Sequence, residues 1–153
     1  EQIVESLDAL KQRMYSAFVV DNLDALAKNH LVGPLLHRLV DVLMVHPVLQ
    51  MRHGKCRLRA LFFGNRRMVW RKYIRREMHA WRRIDHHRLL VTYTGLSADD
   101  LQYIREELEK GYPFEEMIFH KASPSVTVTC GKNALGLFFL RNDAKIGQAE
   151  PLE

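Results

Sequence analysis

The chain has 153 residues, a formal net charge of +5, 47% hydrophobic residues and 27% charged residues. That size and balance fit one folded domain with a substantial core and exclude a disordered chain. No apolar run approaches the roughly 18 residues that cross a bilayer, and Cys56 and Cys130 make neither a disulfide framework nor a zinc site. The opening EQIVESLDALKQRM is too polar for a signal peptide, so the expected location is the reducing cytoplasm.

Residues 2–14 read as an amphipathic helix, with Ile3, Leu7, Leu10 and Met14 on one stripe. Tyr15 to Val20 is a short strand. Asp21 suits the cap of a following helix that ends near Asn29-His30, and Gly33-Pro34 opens another over 34–45. His46-Pro47 stops it, because a residue before proline avoids helical dihedrals. Val48 to Met51 and Cys56 to Phe62 then make a hairpin around Arg52-His53-Gly54-Lys55. The longest helix spans 65–84, with Trp70, Tyr73, Ile74, Met78 and Trp81 on a core-facing stripe. Arg88 to Thr94 is a strand. Ser97, with Asp100 three residues on, caps a helix from 98 to about 110, which Gly111-Tyr112-Pro113 closes. Met117 to His120 is a further strand, and the tail from Asn142 is polar.

The stretch KASPSVTVTCGKNALGLFFL, Lys121 to Leu140, organises the rest. Val126 and Val128 alternate with Thr127 and Thr129, the period of a half-buried strand, and Leu135 to Leu140 reads as a central strand. Between them, Cys130-Gly131-Lys132-Asn133 forms a turn whose Gly and Asn tolerate positive φ and can expose backbone N–H groups to a ligand. The same segment also suits an ordinary turn. The fold class is α/β with an α+β-like character: a mixed sheet packed with helices, spanning residues 1–141 as one domain, with 142–153 as a polar tail.

Charge is unevenly distributed. From Arg52 to Arg88, thirteen Lys/Arg face only Glu77 and Asp85, while the remainder of the chain is net acidic. This block suits nucleic acid, a phosphate-bearing ligand, membrane headgroups or an acidic protein, and equally a solvated helix face. The interspersed aromatic stripe leaves helix 65–84 a less complete basic face for nucleic acid. The chain carries no Walker loop, GxGxxG, GxSxG or HExxH, and His86-His87 is its only adjacent histidine pair, a poor metal geometry. Cys130 has no base marked for it in the sequence, so no catalytic constellation is visible and the chain reads as a non-enzyme without a cofactor.

Four segments together resemble the DegV family: YSAFVVDNLDALAKNHLVG, HPVLQMRHGKCRL with FFGNRRMVWRKY, VTYTGLSADD, and KASPSVTVTCGKNALGLFFL. The resemblance covers roughly residues 15 to 140. Members are two-domain proteins that bind a long-chain fatty acid between their domains, and several present it to a separate fatty-acid kinase. The resemblance therefore implies a C-terminal half whose partners are a long-chain fatty acid, that kinase and the chain's own N-terminal domain. The apolar wall meant for the missing half would make the isolated piece self-associate.

By the same resemblance the ligand-binding positions are Leu31, Tyr93, Thr129, Cys130, Gly131 and Asn133, and Arg66 and Arg67 face the kinase. Three of these depart from the family pattern: Leu31 replaces a loop Arg, and Tyr93 and Thr129 stand where histidines are common. Tyr and Thr can donate a hydrogen bond to an acid headgroup but carry no positive charge. The departures imply either a different ligand or a fatty acid held mainly through its tail, which contributes about 0.8 kcal/mol for each buried CH2.

Overall fold

The computed structural model describes residues 2–21, 45–52, 55–79 and 81–142. The elements expected over 22–44, Leu31 among them, and the tail beyond Asn142 lie outside these residues. The order is α1 (Gln2–Arg13), β1 (Met14–Val19), β2 (Val45–Arg52), β3 (Lys55–Phe63), α2 (Arg66–Glu77), a 3-10 turn (Trp81–Arg83), β4 (Arg88–Tyr93), α3 (Ala98–Gly111), β5 (Glu116–Lys121), α4 (Pro124–Cys130) and β6 (Leu135–Leu140). Six strands form one mixed sheet in the order β3-β2-β1-β6-β4-β5. Among the described residues only the β4–β5 pair is parallel, joined by a crossover through α3. None of the described helices is long and apolar enough to cross a membrane.

Strand alternation divides the sheet into two faces. Tyr15, Ala17 and Val19 of β1, Leu89 and Val91 of β4, and Leu135, Leu137 and Phe139 of β6 pack into one core with α2 and α3. The helices bring Val69, Trp70, Tyr73, Ile74, Ile104 and Leu108 to it. Most of the aromatic stripe is thus core packing, as its spacing implied. Tyr73 also bonds the sheet it covers: its hydroxyl donates to the Ala17 carbonyl at 2.6 Å and accepts from the Leu137 N–H at 3.2 Å.

Local chemistry sets the helix ends. Asn65 caps α2 by accepting from the Met68 N–H at 2.9 Å, and Gly64 reaches φ +121° just before it. Ser97 and Asp100 form the expected capping box of α3. The basic helix is shorter than its spacing suggested. At Met78 the backbone leaves helical dihedrals, and its N–H closes onto Ile74 and Arg76.

The largest departure from expectation is residues 124–130, which form α4 and not a strand. Ser123 caps this helix by accepting from the Val126 N–H, and Pro124 occupies its first turn. The Thr127 and Thr129 hydroxyls donate back to the Ser123 and Ser125 carbonyls at 3.1 and 2.9 Å. Each Thr so satisfies the backbone within the helix, and the Val/Thr alternation no longer describes two faces of a sheet.

Candidate functional site

The turn after α4 is clamped to the end of β4. Gly131 and Asn133 both take positive φ, +78° and +62°, as their residue types allow. The Thr94 hydroxyl donates to the Gly131 carbonyl at 2.7 Å and accepts from the Ala134 N–H at 2.9 Å. The Thr94 backbone accepts from the Asn133 N–H at 2.7 Å and donates to the Ala134 carbonyl at 3.0 Å. Four hydrogen bonds therefore hold the turn on one residue. Because it leads from a helix into β6, it closes over one face of the sheet.

Asp21, at the end of β1, gathers the polar groups on this rim. The Asn133 amide donates to it at 2.9 Å, and the Arg66 guanidinium grips both carboxylate oxygens at 2.9 and 3.3 Å. His46 Nδ1 lies 3.3 Å from Asp21, and its Nε2 lies 3.1 Å from the Gly64 carbonyl. Burial by itself pushes the Asp21 carboxyl up. Hydrogen bonds from His46, Arg66 and Asn133, with the Arg66 charge, outweigh it and hold the group well below the usual carboxylate range.

Next to this rim lies a cavity of about 420 Å³, on the sheet face opposite α2 and α3. Phe18, Gly136 and Thr92 share one cross-strand row of its floor, and Phe138 follows on the same phase of β6. Gly136 matters to this row: an added Cβ would lie 3.1 Å from Cε2 of Phe138 and 3.5 Å from Cβ of Phe18. Met51 and Cys56 give one wall; Val126, Thr129 and Cys130 of α4 give another. Among the described residues the lining is predominantly apolar and carries no ionised group, which suits an alkyl chain.

The sequence-derived positions divide between these two features. Tyr93, Thr129 and Cys130 line the cavity, while Gly131 and Asn133 shape the turn above it. The Thr129 hydroxyl hydrogen is directed to the Ser125 carbonyl, so toward a ligand this residue offers acceptor lone pairs rather than the donor its composition suggested. Arg66 is engaged with Asp21. Arg67 is more exposed, lies 3.7 Å from Asp100 and stacks 5.2 Å from the Tyr103 ring centroid. With Arg71 gripping Glu107 at 3.0 Å, three cations of the basic helix face carboxylates.

Burial pushes the Cys130 thiol up, with Cys56 adding to it, and burial raises Cys56 as well. Both are poor thiolates at neutral pH. Among the described residues no group of three His, Cys, Asp or Glu side chains is placed to hold a metal ion.

Sequence reasoning missed Phe18, Gly136, Phe138 and Met51 as floor and wall, Thr94 as the clamp, and Asp21 as more than a helix cap. A signal existed for two of them. Phe18 and Phe138 are large aromatics on the phase opposite to the core phase of β1 and β6, where a solvated face would carry polar residues.

The family model described as "Uncharacterised protein, DegV family" matches residues 1–142. Solved structures share the fold. A DegV family protein from Thermus thermophilus, described for fatty acid binding, superposes with a TM-score of 0.73 at 21% identity over 92% of this chain and 50% of that one. One from Eubacterium eligens, loaded with heptadecanoic acid, gives 0.77 at 14% identity over 91% and 49%. The Fatty Acid Kinase (Fak) B3 protein of Streptococcus pneumoniae, loaded with linoleic acid, gives 0.76 at 16% over 91% and 48%. The chain spans about half the length of these structures. No curated protein matches it. The fold of this chain is thus shared with about half of each of these larger proteins, two of them solved loaded with a fatty acid. The chain belongs to the DegV family.

Proposed function

We propose that this chain is the C-terminal half of a cytoplasmic DegV-type acyl carrier, a non-catalytic protein that holds a long-chain fatty acid and offers it to a separate fatty-acid kinase. One observation carries the reading: the cavity of about 420 Å³ on the sheet face opposite α2 and α3. Its size falls within the roughly 300–1,000 Å³ of ligand pockets, and its lining among the described residues is predominantly apolar with a few hydroxyls. The fatty acids bound by the neighbours of the same fold support the ligand class.

In this reading the acyl tail lies along Phe18, Gly136 and Phe138 with its carboxyl group toward Tyr93 and the 131–133 turn. The unit is residues 1–141, and 142–153 is its tail. The half of the relatives that this chain does not span covers the open face. That face exposes Met51, Leu58 and Ile118, and α1 exposes Val4, Leu7 and Leu10, so the isolated piece self-associates through them. Exposed Arg67, rather than Arg66, is the cation offered to an acidic partner.

The test is mass spectrometry of an organic extract from the full-length protein purified without added lipid. A stoichiometric long-chain fatty acid is expected. An extract that stays empty after incubation with fatty acids overturns the reading.

A further inference from the structure

A second constellation lies on the other face of the sheet, away from the cavity. Glu77, in the last turn of α2, is buried with its side chain at 0% exposure, and it accepts a hydrogen bond from the Tyr15 hydroxyl. Three arginines from three different elements surround this pair. Arg76 precedes Glu77 on α2. Arg59 comes from β3, with its Nε 3.8 Å from Glu77 Oε1. Arg141 follows β6, and its guanidinium carbon sits 4.3 Å from the Tyr15 ring centroid, with that of Arg59 at 5.9 Å.

Arg59 arrives there through an irregularity of the sheet. Val48 pairs with Ala60 and Leu49 with Leu58, so Arg59 is the extra residue of a bulge and has no partner across the ladder. A bulge redirects one side chain, and here it turns an arginine toward a buried carboxylate.

The donors are not consumed. The Nε atoms of Arg59, Arg76 and Arg141 are all buried without a hydrogen-bond acceptor, and so is Glu77 Oε1 without a donor. Arg59 spends one Nη on Gln50 at 3.1 Å. Arg13, whose Nε donates to the Arg141 carbonyl at 2.8 Å, pairs its own charge with Asp85 at 3.2 Å. Three guanidinium groups against one carboxylate leave an excess of two positive charges. Buried donors without acceptors are rare, and a guanidinium fork is shaped for oxyanions.

We propose that Arg59, Arg76 and Arg141 form a binding site for a phosphate-type dianion, as the free ion or as a monoester. The match is in charge and in donor type: two negative charges balance the excess of two, and guanidinium forks suit the terminal oxygens of a phosphate. Glu77, fixed by Tyr15, is the counter-charge that holds the three cations together while the site is empty. This site shares no residue with the fatty-acid cavity, and it stands or falls independently of the acyl-carrier reading.

The experiment uses the full-length protein with 15N-labelled arginine, recording the Nε–Hε resonances while inorganic phosphate or phenyl phosphate is added at pH 7.5, with chloride at equal ionic strength as control. Saturable shifts confined to Arg59, Arg76 and Arg141, absent with chloride, are expected. A response to inorganic phosphate identifies a site for the free ion. A response to phenyl phosphate alone identifies a site for an esterified phosphate, and both support the proposal. Arg76→Gln, or Arg141→Lys, which keeps the charge but loses the fork, is expected to weaken binding by about tenfold. Resonances that respond no more to either phosphate than to chloride overturn it. So does phosphate affinity that is unchanged in both variants.

Discussion

The two faces of the sheet are built by the same strands to opposite ends. On β6, Leu135, Leu137 and Phe139 are 0%, 0% and 3% exposed against the helices, whereas Gly136 and Phe138 between them form the cavity floor. The covered face spends its apolar surface on the fold, at roughly 25 cal/mol for each Å² removed from water. Among the described residues the opposite face buries a smaller cluster, Val20, Leu49, Cys130 and Ala134, and leaves Phe18 and Phe138 half-buried along the cavity. One strand can serve both purposes because neighbouring side chains point to opposite faces.

Adjacent substitutions on β6 give the strongest test of this division. Leu137→Ala removes a fully buried side chain and is expected to cost about 2–5 kcal/mol in chemical unfolding. Phe138→Ala, one residue away and half-buried, is expected to cost less than half as much while lowering the fatty acid recovered from the purified protein. Equal costs at the two positions would mean that the open face belongs to the core.

The clamp between the faces comes next. Thr94→Val keeps the side-chain shape but leaves the buried Ala134 N–H without its acceptor and frees the Gly131 carbonyl. A loss of about 1–3 kcal/mol is expected in the same unfolding measurement. Hydrogen exchange should also accelerate at Ala134 and Asn133 before it does in β1. If exchange there is unchanged, the turn does not depend on Thr94.

The half-buried Asp21 and the buried Glu77 respond to pH with opposite signs. Asp21, on the open rim, is depressed below its ordinary value of 3.8, so its contribution is present above that pH and lost as pH falls through the folded value. Glu77, on the covered face, is raised by burial above 4.5 despite the Tyr15 hydrogen bond and three arginines, so it weakens the fold as pH rises through its folded value. Asp21→Asn is expected to cost about 1–2 kcal/mol at pH 7 and nothing at the acid end. Unfolding midpoints of the wild type and variant should therefore converge below about pH 4. A gap that is constant with pH would remove the ionised Asp21 from the account.

Much of the frame was legible because its signals are local. The Ser97-Asp100 spacing marks the cap of α3, the Leu135–Leu140 run marks β6, and the spacing of Trp70, Tyr73 and Ile74 marks the buried stripe of α2. Of the site, Tyr93, Thr129 and Cys130 were named and do line the cavity. The Asp21 cluster was not legible, since its partners come from positions 46, 66 and 133, and no local spacing encodes three contacts so distant in the chain. The bulge that redirects Arg59 is hidden for the same reason: it depends on pairing with β2. In α4 a local signal, Ser123-Pro124, competed with another, the Val/Thr alternation, and the cap and first-turn proline prevailed.

That competition supplies the smallest expected effect, and one that separates the two readings of the segment by sign. Val128 is 71% exposed on α4, where it buries little that truncation could lose. In a helix, alanine is favoured over valine by about 0.5 kcal/mol, because it has no branched side chain to restrict. In a strand the order reverses, by up to about 1 kcal/mol, because the branched side chain fits the pleated surface. Val128→Ala should therefore leave the unfolding midpoint unchanged or raise it slightly, with fatty-acid content unaffected, since Val128 is outside the cavity lining. A clear loss of stability would return residues 126–129 to the sheet, and the wall that α4 gives the cavity would have to be rebuilt from a strand.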